Sequence, residues 1–279
     1  MNRRIQFILI LTIFCTLGLT LLQGYWNYSA YKQASKTFKS DINDALKLAI
    51  EQEAELGRKK ILKRYETWLS DTNFIVFGTV YIPVTNETTV SISDRYPPPT
   101  DNRRPFNMGF RDLKLSGKID HITPKLKSSF IKLFVYNKID SDLKEQIAYY
   151  YTYNLGDSLS RLLKQSRIDT TQFNTLYKKA LLKYDINTDF VIDIDSKLTQ
   201  SSAFPFSTLI YKAGVSLNNN VNARFTNPAL IVLTRMKWVL IGSILLIGIT
   251  IFCYIYTSRT LLSQEAGGAK KRLRKQYGT

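Results

Sequence analysis

The chain has 279 residues, 44% of them hydrophobic, and its 39 Lys plus Arg against 22 Asp plus Glu give a formal net charge of +17. Two cysteines and one histidine exclude a disulfide-stabilised scaffold and a zinc site built from several Cys and His residues. A basic chain of this length can build its own core, and it is attracted to nucleic acid or to anionic surfaces.

Two long apolar segments lie near the ends of the chain, at residues 5–22 and 238–257. Neither contains a charged residue, and about 18 to 20 helical residues at 1.5 Å each match a hydrocarbon core of roughly 30 Å. The sequence therefore predicts two transmembrane helices. A cleaved signal peptide is the alternative for the first segment. No small-x-small cleavage site follows it, which favours an uncleaved signal anchor.

Basic residues flank both segments on their outer ends. Arg3 and Arg4 precede the first segment, and Arg259 and the basic run at 270–275 follow the second. The positive-inside rule therefore predicts two cytoplasmic termini. A translocated domain does not normally meet nucleic acid, so we expect the lipid bilayer and anionic polymers as partners and no nucleic acid. The predicted divisions are a cytoplasmic start at 1–4, a first span at 5–22, an extracytoplasmic domain at 23–237, a second span at 238–257 and a cytoplasmic tail at 258–279.

A long helix is predicted to continue from the first span to about residue 69. Apolar and small residues recur along it at alternating spacings of four and three, which is typical of a packed helix face. Two interpretations remain open: the helix packs on its own domain, or the face forms the seam of a homodimer. The residues of this face are Phe38, Ile42, Ala45, Ala49, Gln52 and Leu56.

A strand and a long loop are predicted next. Residues 74–84 are rich in β-branched and aromatic side chains, and Pro83 places the strand's end at a sheet edge. The proline-rich stretch at 95–117 predicts a non-helical loop. Its arginines Arg103 and Arg104 are the candidate ligand-binding residues, if the loop is a flap over a ligand rather than a solvated connector.

Helices alternate with short strands in the rest of the domain. Periodicity predicts helices at 141–165 and 171–184 and strands at 190–194 and 209–217. Asp193 and Asp195 are predicted to share one face of the strand at 190–194, where paired carboxylates are more often a solvated face than a catalytic pair. The pattern favours an α+β fold around a half-open sheet, in the manner of PAS or Cache sensor domains.

The sequence contains no recognisable catalytic or cofactor motif. It has no glycine-rich phosphate loop, no G-x-S-x-G and no H-E-x-x-H. The single histidine, His121, has no nearby cysteine or second histidine with which to share a metal. We therefore expect no catalytic residue, metal or cofactor. An enzyme whose aspartates or tyrosines meet only on folding is the less favoured alternative.

The layout of span, extracytoplasmic α+β domain and span resembles that of membrane sensor histidine kinases. Residues 227–243, NPALIVLTRMKWVLIGS, look like the end of the sensor domain in kinases of the Bacteroidetes type. Residues 181–190, LLKYDINTDF, are also similar to their sensor domains, and 257–264, TSRTLLSQ, look like the segment that precedes their phosphoacceptor helix. The resemblance implies a location in a bacterial inner (cytoplasmic) membrane. It also implies a homodimer, an unknown extracytoplasmic ligand and a cytoplasmic response regulator. The signal-relay exit that it implies contains Arg259, Leu262 and Gln264.

The sequence departs from this family after Gln264. The family continues into a dimerisation domain with a phosphoacceptor histidine and then into an ATP-binding domain, whereas this chain ends fifteen residues later without a histidine. We therefore expect a sensor region without kinase activity of its own. Three origins of the tail after Gln264 remain open: natural, frameshifted or engineered. The alternative function is a stand-alone membrane scaffold whose basic tail contacts lipid.

Overall fold

The computed structural model describes residues 3–98, 106–108, 115–147, 151–195, 206–226 and 228–276. The chain forms two compact units. The helical unit consists of Met1–Ile42 and Phe225–Thr279, and the α+β unit consists of Asn43–Arg224. Its mixture of helices and small sheets confirms the α+β class. The candidate ligand-binding residues Arg103 and Arg104 lie outside the described residues.

The order of elements along the chain is as follows. The helices are α1 (Arg3–Ser70), α2 (Pro124–Leu133), a π-helix (Phe134–Ile139), α3 (Asp140–Lys144), α4 (Tyr153–Gln165), α5 (Thr170–Leu182), α6 (Ala229–Arg235) and α7 (Lys237–Gln276). The strands are β1 (Ile75–Ile82), β2 (Glu87–Asp94), β3 (Phe106–Met108), β4 (Phe190–Ile194), β5 (Tyr211–Ala213) and β6 (Asn219–Phe225).

The described strands form two sheets rather than one. Strands β1, β2 and β3 make an antiparallel sheet in that order, and the second sheet has the order β4-β6-β5. The expectation of a single half-open sheet is therefore wrong for the described residues. The predicted strand at 74–84 is confirmed as the edge strand β1, which ends just before Pro83, and the predicted loop at 95–117 contains β3.

The long helix α1 confirms the predicted continuous helix. Of its predicted face, Phe38, Ile42, Ala45 and Ala49 are wholly buried within the chain, whereas Gln52 and Leu56 are half-buried. This supports the interpretation that the helix packs on its own chain, because a face that is already covered is not a free dimer seam. The homodimer itself stays a prediction.

The predicted helix at 141–165 is wrong, because the chain turns in its middle. Helix α3 ends at Lys144, Gln146 adopts a left-handed φ of 60°, and α4 begins anew after Thr152. Thr152 caps α4 by accepting a hydrogen bond from the Leu155 amide at 3.3 Å. Local capping therefore overrides the apolar periodicity that runs through this stretch.

Other predicted elements are confirmed or shortened. Helix α5 and strand β4 agree with the predictions at 171–184 and 190–194. The strand predicted at 209–217 shrinks to β5, because Gly214 and Leu217 have left-handed φ values of 86° and 50° and turn the chain into β6. Strands β2 and β6 were not predicted, because the polar residues of ETTVSISD and NNVNARF weaken the strand pattern.

One helix of the described part of the chain is long and apolar enough to cross a membrane. This is the stretch Lys237–Thr260 of α7, with 24 residues, a mean hydropathy of 2.4 and none of its apolar window buried. The first apolar segment lies within α1 and exposes large side chains such as Phe14 and Leu17. That this first apolar segment also crosses the membrane stays a prediction.

Candidate functional site

The site residues proposed from the sequence stay predictions, because Arg103 and Arg104 lie outside the described residues. Arg259 is exposed on α7, and Leu262 and Gln264 belong to the same helix without a description of their side chains. His121 is exposed just before α2. No group of three His, Cys, Asp or Glu that could hold a metal occurs among the described residues.

The two carboxylates predicted to share one strand face, Asp193 and Asp195, bind different partners. Asp193 in β4 forms an ion pair with Arg224 of β6, with 2.6 Å between Oδ2 and Nε. Asp195 lies beyond the end of β4 in a left-handed conformation, φ 51°, and accepts the Asn220 amide at 2.7 Å. Each carboxylate therefore has a structural partner at the sheet β4-β6-β5, and the correction is that Asp195 does not belong to the strand.

The helical unit contains a cluster of four side chains, called here the coupling cluster: Phe38 and Asp41 of α1, Phe225 at the end of β6, and Arg235 at the end of α6. Arg235 Nη1 lies 2.6 Å from Asp41 Oδ2, with both side chains only about one-fifth exposed. The Arg235 guanidinium also lies 5.8 Å from the centre of the Phe38 ring. The Phe38 and Phe225 rings meet edge to face at 5.6 Å.

Local sequence explains how the coupling cluster is built. Phe225 ends a strand whose alternate residues Val221, Ala223 and Phe225 are all fully buried. Helix α6 begins four positions later, at Ala229, buries Val232 and ends at Arg235. Because α7 begins at Lys237, the cluster holds the exit from the sheet and the entry to the apolar helix against one stretch of α1.

A second set of buried polar groups, the interior acidic cluster, lies in the α+β unit. It consists of Tyr65, Asp94, Asp142, Tyr151 and Thr152, all less than one-tenth exposed. Asp94 accepts hydrogen bonds from the Thr152 hydroxyl at 2.6 Å and from the Asn154 amide at 3.0 Å. Its charge therefore lies at the N-terminus of α4, where the helix dipole favours an anion.

The other carboxylate of the interior acidic cluster is held from two sides. Asp142 accepts a hydrogen bond from the Tyr151 hydroxyl and pairs with Lys138 at 2.7 Å. The Tyr65 hydroxyl is fully buried and has no hydrogen-bond partner within the described part of the chain. Burial, and then the charges of Asp142 and Asp94, raise the pKa of Tyr65 well above its ordinary range. The cluster is satisfied at its carboxylates, so its geometry supports a structural role rather than acid–base chemistry.

Sequence reasoning missed both clusters, and for the same reason. Asp41 and Arg235 are 194 residues apart, and Asp94 and Thr152 are 58 apart. Single charged residues at such distances carry no local pattern. The available signal was indirect: Arg235 is a basic residue just before the second apolar segment, on the side that the predicted topology places outside the cytoplasm and where the charge rule disfavours it.

No family model matches the chain, and neither the curated proteins nor the solved structures contain a significant match. The resemblance to sensor histidine kinases therefore depends on the sequence stretches at 181–190, 227–243 and 257–264. The function is best argued from the coupling cluster, whose geometry is independent of that resemblance.

Proposed function

We propose that this chain is the membrane-bound sensor region of a two-component histidine kinase, which detects an extracytoplasmic stimulus and relays it through α7. The observation that carries this proposal is the way in which the two units are joined. The chain passes from one unit to the other between residues 42 and 43 and between 224 and 225. The first point lies inside α1 and the second inside β6, so both connections are regular elements rather than loose linkers.

Regular connections suit a relay because they transmit displacement. A shift of β6 moves Phe225, and a shift of α1 moves Phe38 and Asp41, so both reach the coupling cluster directly. Arg235 then leads into α7 after a single residue, Met236. A stimulus can act only by binding two arrangements of these elements with different affinity, and the coupling cluster is where such arrangements would differ.

The small free-energy contribution expected of the contacts in the coupling cluster suits a switch between two arrangements. A partly exposed ion pair contributes about 0 to 1 kcal/mol, and a guanidinium near an aromatic ring adds about 0.5 to 1 kcal/mol. A total of about 0.5 to 2 kcal/mol overlaps the usual range of allosteric coupling energies, about 1 to 3 kcal/mol. Contacts of this size can be broken and remade by a ligand.

The proposed topology places α7 across the membrane together with the apolar part of α1. The α+β unit is then extracytoplasmic, and Arg259, Leu262 and Gln264 leave the membrane on the cytoplasmic side. The outward position of residues such as Phe252 and Ile244, which are 70% exposed, suits contact with lipid. The homodimer and the response regulator are proposed on the resemblance.

A chimaera tests the relay. Residues 1–264 are fused to the cytoplasmic core of a histidine kinase, and autophosphorylation is measured in membranes. We expect Asp41→Ala and Arg235→Ala each to shift the kinase output several-fold, by loss of the 2.6 Å pair. The double exchange Asp41→Arg with Arg235→Asp restores the charge pair and should recover much of the original output.

The matched control is the exposed pair Asp157 and Arg161 on α4, which also meets at 2.6 Å. Asp157→Ala should leave the output unchanged. Equal outputs for Asp41→Ala, Asp157→Ala and the unchanged fusion would contradict the relay. That result would favour the alternative, a membrane scaffold, for which the helical continuation of α7 through the basic run at 270–275 is the motivating observation.

A further inference from the structure

The two apolar segments of the helical unit do not lie level with each other. Ser243 Oγ of α7 donates a hydrogen bond to Asn27 Oδ1 of α1 at 2.9 Å, which sets these two residues at the same height. Asn27 lies five residues beyond the apolar segment 5–22, whereas Ser243 lies five residues inside 238–257. At 1.5 Å per residue the outer ends of the two segments are about 15 Å apart.

A bilayer cannot be centred on both segments in this register. The apolar stretch Lys237–Thr260 of α7 begins six residues before Ser243, so Asn27 lies about 9 Å inside its outer end. Gln23 lies one helical turn deeper than Asn27. Amides at such depths are tolerated in hydrocarbon when they face a neighbouring helix.

The side chains of α1 follow that expectation. Gln23 is 8% exposed, and Asn27, Ala30 and Ala34 are half-buried, at spacings of four, three and four that continue to Phe38. Outside this packed stripe, the aromatic residues Tyr25, Trp26 and Tyr28 are 72%, 64% and 65% exposed. Amphipathic aromatic rings of this kind suit the outer layer of a bilayer.

The charges of α1 agree with a deeper position. No charged residue occurs between Arg4 and Lys32, which is a longer stretch than the apolar segment itself. Counting away from the contact between Asn27 and Ser243, residues 13–31 of α1 are level with residues 239–257 of α7. Lys32 is then level with Trp238, where α7 begins to leave its apolar stretch.

We infer that the first membrane span of this chain is about residues 13–31 rather than 5–22, and that Gln23, Asn27 and Ser243 form a polar joint inside the bilayer. The bond between Asn27 and Ser243 sets the register of α1 on α7. This inference rests on the two-span topology of the proposed function. Residues 5–10 then extend α1 beyond the level of Arg259, toward the cytoplasm. The polar joint thus lies in the path between the coupling cluster and the proposed signal exit.

Within the polar joint the two amides differ. Asn27 is paired with Ser243, whereas Gln23 Nε2 is buried and has no hydrogen-bond partner among the described residues. A paired group in hydrocarbon holds the helices together, and an unpaired one does not. Asn27→Leu should therefore loosen the pair of helices, while Gln23→Leu should leave it as tight or tighten it.

Accessibility to a membrane-impermeant maleimide tests the inference in the full chain, in spheroplasts and with Cys15 and Cys253 replaced by serine. Single cysteines are placed at Tyr25 and Tyr28. The accessible control is Val84→Cys in the turn between β1 and β2, where the native side chain is 95% exposed. The protected control is a separate variant that keeps Cys15 as its single cysteine, because Cys15 lies inside both versions of the span. We expect the cysteines at Tyr25 and Tyr28 to react at least ten times more slowly than Val84→Cys.

The outcomes separate this inference from the proposed function. If Val84→Cys reacts fast and the cysteines at Tyr25 and Tyr28 react equally fast, the span ends near residue 22 and the inference is wrong. If Val84→Cys does not react from the outside although it reacts after detergent treatment, the extracytoplasmic topology of the proposed function has failed.

Oxidative crosslinking tests the register directly. The pair Asn27→Cys with Ser243→Cys should form a disulfide readily, whereas Leu22→Cys with Trp238→Cys should not. The second pair would be level if the outer ends of the two apolar segments coincided. Preferential crosslinking of the second pair would overturn the proposed register. The same assay in Asn27→Leu and Gln23→Leu backgrounds uses a cysteine pair about two turns deeper, at Thr20 and Thr250.

Discussion

The helical unit and the α+β unit keep their buried polar groups in different ways. In the helical unit, single pairs such as Asp41 with Arg235 and Asn27 with Ser243 join helices at separate points. In the α+β unit, Asp94 and Asp142 each accept two hydrogen bonds within a core of aromatic and aliphatic side chains. Isolated pairs can be exchanged at a cost of about 1 kcal/mol, whereas a satisfied buried network resists any change. We therefore expect the isolated contacts of the helical unit to be exchanged more easily than the interior acidic cluster of the α+β unit.

The core of the α+β unit should give the largest effect. Phe134 is fully buried, with its ring 5.8 Å from the Phe130 ring and 4.8 Å from the Tyr151 ring. Phe134→Ala should lower the free energy of unfolding by about 4 kcal/mol, because it removes these contacts and leaves a cavity. Urea unfolding of the full chain in nanodiscs, followed by the fluorescence of Trp68 with Trp26 and Trp238 replaced by phenylalanine, measures the loss.

Two controls sharpen this prediction. Tyr136→Ala on the same π-helix removes a side chain that is 48% exposed and should cost less than about 1 kcal/mol. The crosslink between cysteines at positions 27 and 243 should persist in Phe134→Ala. Loss of that crosslink would show that the helical unit depends on the core of the α+β unit.

The interior acidic cluster should give the next largest effect. Asp142→Ala removes the hydrogen bond from the Tyr151 hydroxyl and the ion pair with Lys138, so we expect a loss of about 3 kcal/mol in the same unfolding assay. Asp142→Asn keeps an acceptor oxygen and should lose less. If the two variants lose the same amount, the hydrogen bond from Tyr151 is not what stabilises this cluster.

A half-buried glutamate on α1 should give the smallest effect, with a characteristic pH dependence. Burial raises the pKa of Glu53 above its ordinary value of 4.5, and the positive charge of Lys60 lowers it by a smaller amount. The Glu53 Oε2 atom has no hydrogen-bond partner in the described residues. The folded state therefore holds this proton more tightly than the unfolded state. Its contribution to stability is fully present below about pH 4.5 and is lost as the pH rises through the raised pKa.

The variant Glu53→Gln tests that sign. At pH 7 it should be more stable than the unchanged chain by less than about 1 kcal/mol, since Glu53 is partly exposed. The difference should vanish on acidification below about pH 4.5. Glu55→Gln is the matched control, because Glu55 is more exposed on the same helix and pairs with Lys59 at 2.6 Å. A gain for Glu53→Gln that grows toward low pH would contradict the assignment.

Predictions from the sequence succeeded where the physics is local. The long helix α1, strand β1, helix α5 and strand β4 follow from periodicity and propensity within a few residues. The prediction at 141–165 failed because one left-handed residue, Gln146, and one cap, Thr152, outweigh a continuous apolar pattern. Strand β6 was missed because three asparagines conceal its buried positions.

The sequence by itself determined the α+β character of the chain, its long first helix and an apolar helix able to cross a membrane, because each depends on residues that are neighbours along the chain. Only the tertiary structure decided that the face at Phe38 to Ala49 is covered within the chain, and that Asp41 meets Arg235. Only the tertiary structure also set Asn27 level with Ser243. The physical reason is that a contact between residues about two hundred positions apart is specified by packing of the whole chain, and no local pattern encodes it.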